Sequence, residues 1–276
     1  MKICVSSWSL CQHICRGLPL PVFAKEMFQR YRVKGVELSQ MTFRRALPGW
    51  ESVGCVMAYD SVFLDDIVAG TKEVGAKIVN IPIDLGNITG KDEKKRAYDL
   101  NVLKGWIDVA AYVESAYVRF NTGACLPSKP IPLDPERDIP LAIDSYRKLM
   151  DYAEQTSVGI LLENHGGITA DPDAIVEIAE ALKGRNFGVI ADFGNFPDDI
   201  RYEALEKIVP YTKLIHAKTY QFNDAGEEGK YDFGRCLNLF KEQGYDGWIS
   251  AEFEGTEDQY TAVGKTISLI EKELAR

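Results

Sequence analysis

Residues 158–192 read VGILLENHGGITADPDAIVEIAEALKGRNFGVIAD, and this one unit decides how the rest of the chain is parsed. VGILLE (158–163) is a continuous apolar run without alternation, the pattern of a strand covered on both faces, as in a parallel sheet. Two glycines, Gly166 and Gly167, then let the chain turn away. TADPD (169–173) offers a cap and a proline for the first turn of a helix. An amphipathic stretch follows over 171–183, and LKGRN ends it with a glycine and cations close by. FGVIAD (187–192) is a second apolar run, so the unit is strand, crossover helix and strand.

The same unit recurs in both directions. Strand-like runs fall at 2–8, 34–39, 77–83, 116–122, 158–163, 187–192, 212–217 and 248–253. Between and after them lie amphipathic stretches at 20–32, 61–75, 91–114, 138–156, 171–183, 199–208, 231–243 and 257–274. Eight strands alternating with eight helices, with no composition break or Ser/Gly linker, predict an α/β fold: a single (β/α)8 TIM barrel in one domain over 1–276. A ninth apolar run, VGCVMA (53–58), follows a segment with Pro48 and no helical period, and is read as part of a long loop over 40–59. A doubly wound open sheet would call for a glycine-rich phosphate loop after the first strand, and SSWSLCQH is not one.

Composition narrows the partners. Acidic residues exceed basic ones by nine, and no basic run exceeds DEKKR (92–96), so neither nucleic acid nor an anionic membrane finds a complementary surface. The N-terminal residues MKICVSSWSLCQHICRG lack a secretory apolar core, and no apolar stretch reaches the roughly 18–20 residues of a spanning helix, which together predict a cytoplasmic protein. A chain of 276 residues has no need of disulfides, so the six cysteines are read as thiols. Cys11, His13 and Cys15 lack the second Cys/His pair of a zinc knuckle. The apolar set Trp50, Met57 and Tyr59 in the 40–59 loop suits a lid or a dimer contact, leaving a homo-oligomer open.

In a barrel of this kind the active site lies at the C-terminal ends of the strands. Here four consecutive strands end in Glu163, Asp192, His216 and Glu252. Three carboxylates gathered at one mouth would repel one another and raise their pKa values, and a divalent cation removes both costs. Oxygen ligands with one imidazole suit Mn²⁺, Co²⁺, Mg²⁺ or Zn²⁺, and a six-coordinate ion would keep two positions for the hydroxyl and adjacent carbonyl of a sugar. Such an ion would polarise the carbonyl and favour proton abstraction from the neighbouring carbon through an enediolate. Glu254 shares the face of Glu252 and competes with it as ligand. Lys218 shares that of His216, one step nearer solvent, where it could bond a substrate oxygen or pair with Glu254.

GVEL (35–38), LLEN (161–164), ADFGN (191–195), IHAK (215–218) and GWISAEFEG (247–255) together resemble the xylose isomerase-like TIM-barrel superfamily. The sugar phosphate isomerase/epimerase group is the part it resembles most, over essentially the whole chain. The resemblance implies Glu163, Asp192, His216 and Glu252 as metal ligands, Mn²⁺ first among the candidates, with Glu163 and Glu252 also acting as the acid/base pair. It further implies a substrate held by Glu37, Asn164, His165, Asn195 and Lys218 between apolar walls at Trp8 and Phe196. Ketose 3-epimerases of the group carry a histidine where this chain has Asn195 and an arginine where it has Phe222, so sugar recognition is rebuilt. A DNA-repair member of the fold needs a histidine-rich trinuclear zinc site, and this chain has three histidines. Acidic loops NDAGEEGKYD (223–232) and EFEGTEDQY (252–260) disfavour a phosphate, so an uncharged sugar or polyol is expected. The leading expectation is a metal-dependent isomerase or epimerase. The alternatives are a dehydratase of a keto-inositol, and a non-catalytic barrel subunit.

Overall fold

The computed structural model describes residues 1–43, 61–123 and 133–276. Eight parallel strands close into a barrel in chain order: β1 (Lys2–Ser6), β2 (Gly35–Glu37), β3 (Lys77–Ile83), β4 (Tyr117–Phe120), β5 (Gly159–Glu163), β6 (Phe187–Asp192), β7 (Thr212–Thr219) and β8 (Trp248–Phe253). The ring is sealed by β1 against β8, with Lys2 opposite Trp248 and Val5 opposite Ala251. A short helix α1 (Cys11–Cys15) follows β1, and the outer layer is α2 (Phe23–Tyr31), α3 (Ser61–Glu73), α4 (Glu93–Tyr112), α5 (Pro135–Ala153), α6 (Pro172–Ala181), α7 (Arg201–Ile208), α8 (Phe233–Glu242) and α9 (Gln259–Ala275). The architecture is the (β/α)8 barrel that the alternation predicts.

Local chemistry sets the helix starts. Asp92, Asp171, Asp232 and Asp258 each accept a hydrogen bond from a backbone N–H in the first turn of the helix that follows. Such a cap contributes about 1 kcal/mol. At α6 the aspartate precedes Pro172, whose missing N–H costs nothing at that position.

Two apolar regions hold the barrel. The larger packs strands against helices and includes Phe120, Tyr146, Ile175, Phe193 and Phe240. A smaller one gathers Cys4, Val79, Leu161, Ile190 and Leu214, with Tyr117 and Trp248 against it. Leu161, Ile190 and Leu214 stand two residues before Glu163, Asp192 and His216, on the same strand faces. The barrel interior is therefore an apolar floor with a polar layer directly above. Gly35 makes room for that floor: a Cβ there would lie 2.4 Å from the Trp248 ring and 2.7 Å from Cys4.

Several boundaries differ from those read in the sequence. The first strand stops at Ser6, because the Ser6 hydroxyl accepts from Trp8 N and starts a 3-10 turn over Ser7–Leu10. The seventh runs on to Thr219, which brings Lys218 into the barrel wall. The fourth outer helix, α5, begins at Pro135 rather than 138. The run 53–58 and the residues Trp50, Met57 and Tyr59 lie outside the described residues. Among the described residues no helix is long and apolar enough to cross a membrane.

Candidate metal centre and substrate cavity

Strand register places the polar layer. Asp192 stands opposite His216, and His216 opposite Ser250. One ligand atom each from Glu163, Asp192 and His216 lie within 4.8 Å of one another, and all three residues are buried. His216 Nδ1 is 3.1 Å from Glu163 Oε1 and 3.8 Å from Asp192 Oδ2. Glu252 pairs in register with Lys218, one side-chain step nearer the mouth. It stands outside the three-residue group, with its Oε2 3.5 Å from His216 Nδ1. Glu254 is carried up to the rim, where Oε1 accepts from Trp8 Nε1 at 2.9 Å and Oε2 lies 3.4 Å from Lys218 Nζ.

Charge is the dominant fact of this layer. Burial alone would raise the Glu163 carboxyl, but the Arg119 guanidinium and His216 hold it well below the usual carboxylate range. Burial pushes Asp192 up to about 8 against the pull of Lys218, with Glu252 and Glu163 adding to the rise. Burial opposes charge on His216 and Lys218, yet the surrounding carboxylates, Glu37 foremost for His216 and Asp192 for Lys218, raise both well above their ordinary values.

Three buried carboxylate oxygens, Glu163 Oε2, Asp192 Oδ2 and Glu252 Oε2, have no hydrogen-bond partner. Lys218 Nζ lies 3.0 Å from the Asp192 oxygen and 3.3 Å from that of Glu252, while Arg119 Nε lies 2.9 Å from that of Glu163. These ion pairs offset part of the charge, and three converging buried carboxylates that lack hydrogen bonds still favour a cation among them. A hard or borderline divalent cation fits them together with the Nδ1 of His216. The other ring nitrogen is already engaged, since Nε2 lies 3.1 Å from Glu37 Oε2, which also accepts from Asn80 Nδ2 at 2.8 Å. A carboxylate behind the imidazole is the usual device for orienting a metal-binding histidine.

A cavity of about 770 Å³ opens above this layer. Trp8, His165, Asn195 and Lys218 line it, as do Glu163 and Glu252. Three residues expected to face the substrate are placed elsewhere. Glu37 is fully buried beneath His216 and does not line the cavity. Asn164, on the alternate face from Glu163, donates from Nδ2 to Asp192 O at 2.9 Å and accepts from Asp192 N at 2.7 Å, so it ties β5 to β6. Phe196 is buried against a separate groove with Tyr220 and Tyr231, and its carbonyl accepts from Arg201.

A sequence profile of the xylose isomerase-like TIM barrel matches residues 33–273. The chain belongs to this family. Its barrel superposes on 3-keto-D-glucoside 4-epimerase, YcjR, from E. coli, with a TM-score of 0.73 at 16% identity, over 99% of both chains. D-psicose 3-epimerase from Clostridium cellulolyticum H10, solved with D-tagatose, matches at a TM-score of 0.73 and 12% identity, again over 99% of both. The IOLI protein, solved with a zinc atom, gives a TM-score of 0.74 at 18% identity, over 100% of this chain and 98% of that one. No curated protein matches the sequence itself.

The structure of this xylose isomerase-like barrel also brings in residues that the strand-end reading passed over. Arg119, in the middle of β4, lines the cavity with Asp84, and its Nη1 donates to Asp84 Oδ1 at 2.6 Å. An arginine inside the apolar run AYVRFNT was the available signal. Ser6, Ser39 and Gln259 line the same cavity without any comparable mark in the sequence.

Proposed function

We propose that this chain is a divalent-metal-dependent isomerase or epimerase of a small, non-phosphorylated sugar or polyol. The observation that carries the reading is the set of three buried carboxylate oxygens without hydrogen bonds, grouped around His216 at the floor of an open cavity. Support comes from the structural neighbours, two of which are epimerases of sugars and one of which holds zinc. Glu163, Asp192, His216 and Glu252 would hold the ion, and the oxygen-rich donor set with one imidazole favours Mn²⁺. When bound, the ion supplies Lewis-acid polarisation of a carbonyl and neutralises the carboxylates.

The rest of the chemistry belongs to the side chains. Glu163 on β5 and Glu252 on β8 are three strands apart around the ring, with Asp192 and His216 between them. A substrate carbon lying between the two can lose a proton to one carboxylate and regain it from the other on the opposite face, which inverts the centre. Return from the same side to the adjacent carbon instead gives aldose–ketose isomerisation. Lys218 Nζ, which donates to Asn195 Oδ1 at 3.1 Å, would donate to a substrate oxygen.

The test has two arms. Calorimetric titration of metal-stripped protein with Mn²⁺ should show one tight site, lost by 100-fold or more in Glu163→Gln; unchanged affinity in that variant overturns the metal site. Mn²⁺-loaded protein in D₂O should exchange deuterium into at least one member of a panel of neutral ketoses, aldoses and keto-inositols. Exchange without water loss supports the isomerase or epimerase; loss of water would convert the reading to a lyase.

A further inference from the structure

We infer that a second cavity beside the metal-side one holds a hexosyl group, so that the substrate is a glycoside of a keto sugar rather than a free monosaccharide. The inference rests on the proposed sugar chemistry and narrows its substrate class. The second cavity, of about 540 Å³, is lined by Asn87, Thr122 and Gly166, which follow β3, β4 and β5. It shares His165 with the metal-side cavity. Each volume falls within the range of about 300–1,000 Å³ typical of small-molecule sites, so the pair is roomy for one sugar ring and suited to two.

The junction carries the chemical argument. His165 Nδ1 is buried there without a hydrogen-bond partner. A ligand oxygen passing from one cavity to the other would satisfy it, and a glycosidic bridge with its neighbouring hydroxyls supplies such oxygens. Gly166 and Gly167 follow at φ +79° and +59°, and among the described residues a Cβ at Gly166 would meet nothing within 4 Å, so the space beside His165 is open there. Lys91 adds one ammonium donor to the walls, and the other charges there are matched. Arg137 and Asp138 pair with each other, and Asp138 also accepts from Asp134 N. Among the described residues, the Thr122 hydroxyl and the Asn87 amide nitrogen make no hydrogen bond, leaving both for a sugar.

Calorimetry on Mn²⁺-loaded protein would compare D-fructose with three disaccharides in which fructose carries a hexosyl group at O3, O4 or O6: turanose, lactulose and isomaltulose. At least one disaccharide should bind 10-fold or more tightly than D-fructose. Ala170→Trp, which fills the second cavity, should erase that preference and leave D-fructose affinity unchanged. Thr122→Val, a smaller change that preserves packing, should reduce the preference about 3-fold or more. Equal affinity for fructose and all three disaccharides, or a parallel loss for both classes in the variants, overturns the second-cavity assignment alone. If no sugar binds and no keto sugar exchanges deuterium, the proposed sugar chemistry falls and the inference with it.

Discussion

Glu37 shows how depth, rather than residue type, sets a role. It lies on β2 opposite Ser6 and Asn80, after a register shift between Val36 and Glu37, and this places it under His216. Its carboxylate is held low against burial by the imidazole, with a further bond from Asn80. Glu37→Gln keeps the shape and removes the charge behind Nε2, so Mn²⁺ affinity should fall about 10–100-fold with the fold retained. A metal titration decides it: were Glu37 a sugar contact, the sugar KM would rise with metal affinity intact. Depth of this sort depends on barrel register, which one strand's sequence does not display. Strand parity, in contrast, is legible: Asn164 follows Glu163 by one residue and so faces away from it. Arg119 was visible as a charge within an apolar run, but its partner Glu163 lies on a neighbouring strand, and the pairing needs the closed ring.

At the scale of elements, the β5–β6 junction is held by a side chain acting as backbone. The Asn164 amide makes two hydrogen bonds to the main chain of Asp192, the last residue of β6. Asn164→Ala would leave a buried N–H and C=O unsatisfied and should cost about 1–3 kcal/mol, read from the urea midpoint. Mn²⁺ affinity should drop as well, because Asp192 loses its anchor. The strands and most helices were legible because most of the parallel strands are continuous apolar runs and four of the helices start at a capping aspartate. The 3-10 turn after β1 was not, since a single hydroxyl contact from Ser6 ends the strand inside the polar run SSWS.

For the whole molecule, the proposed metal site predicts that stability rises with cation supply. Loading at about 100 times Kd should stabilise the protein by about 2.7 kcal/mol, a rise of roughly 5–10 °C in Tm by scanning calorimetry, and Glu163→Gln should abolish the rise. A net charge of −9 predicts, in parallel, no retention on DNA at physiological salt. The apolar floor of Cys4, Val79, Leu161, Ile190 and Leu214 has one more consequence, concerning traffic. With the lower end plugged, the proposed cation and sugar would enter from the same end of the barrel, the cation to the deeper place. The proposed function then predicts ordered binding, ion first, with a seated sugar acting as a stopper. Chelator stripping of Mn²⁺ should accordingly slow several-fold when a saturating sugar is present, and an unchanged stripping rate would mean that the ion has a second way out.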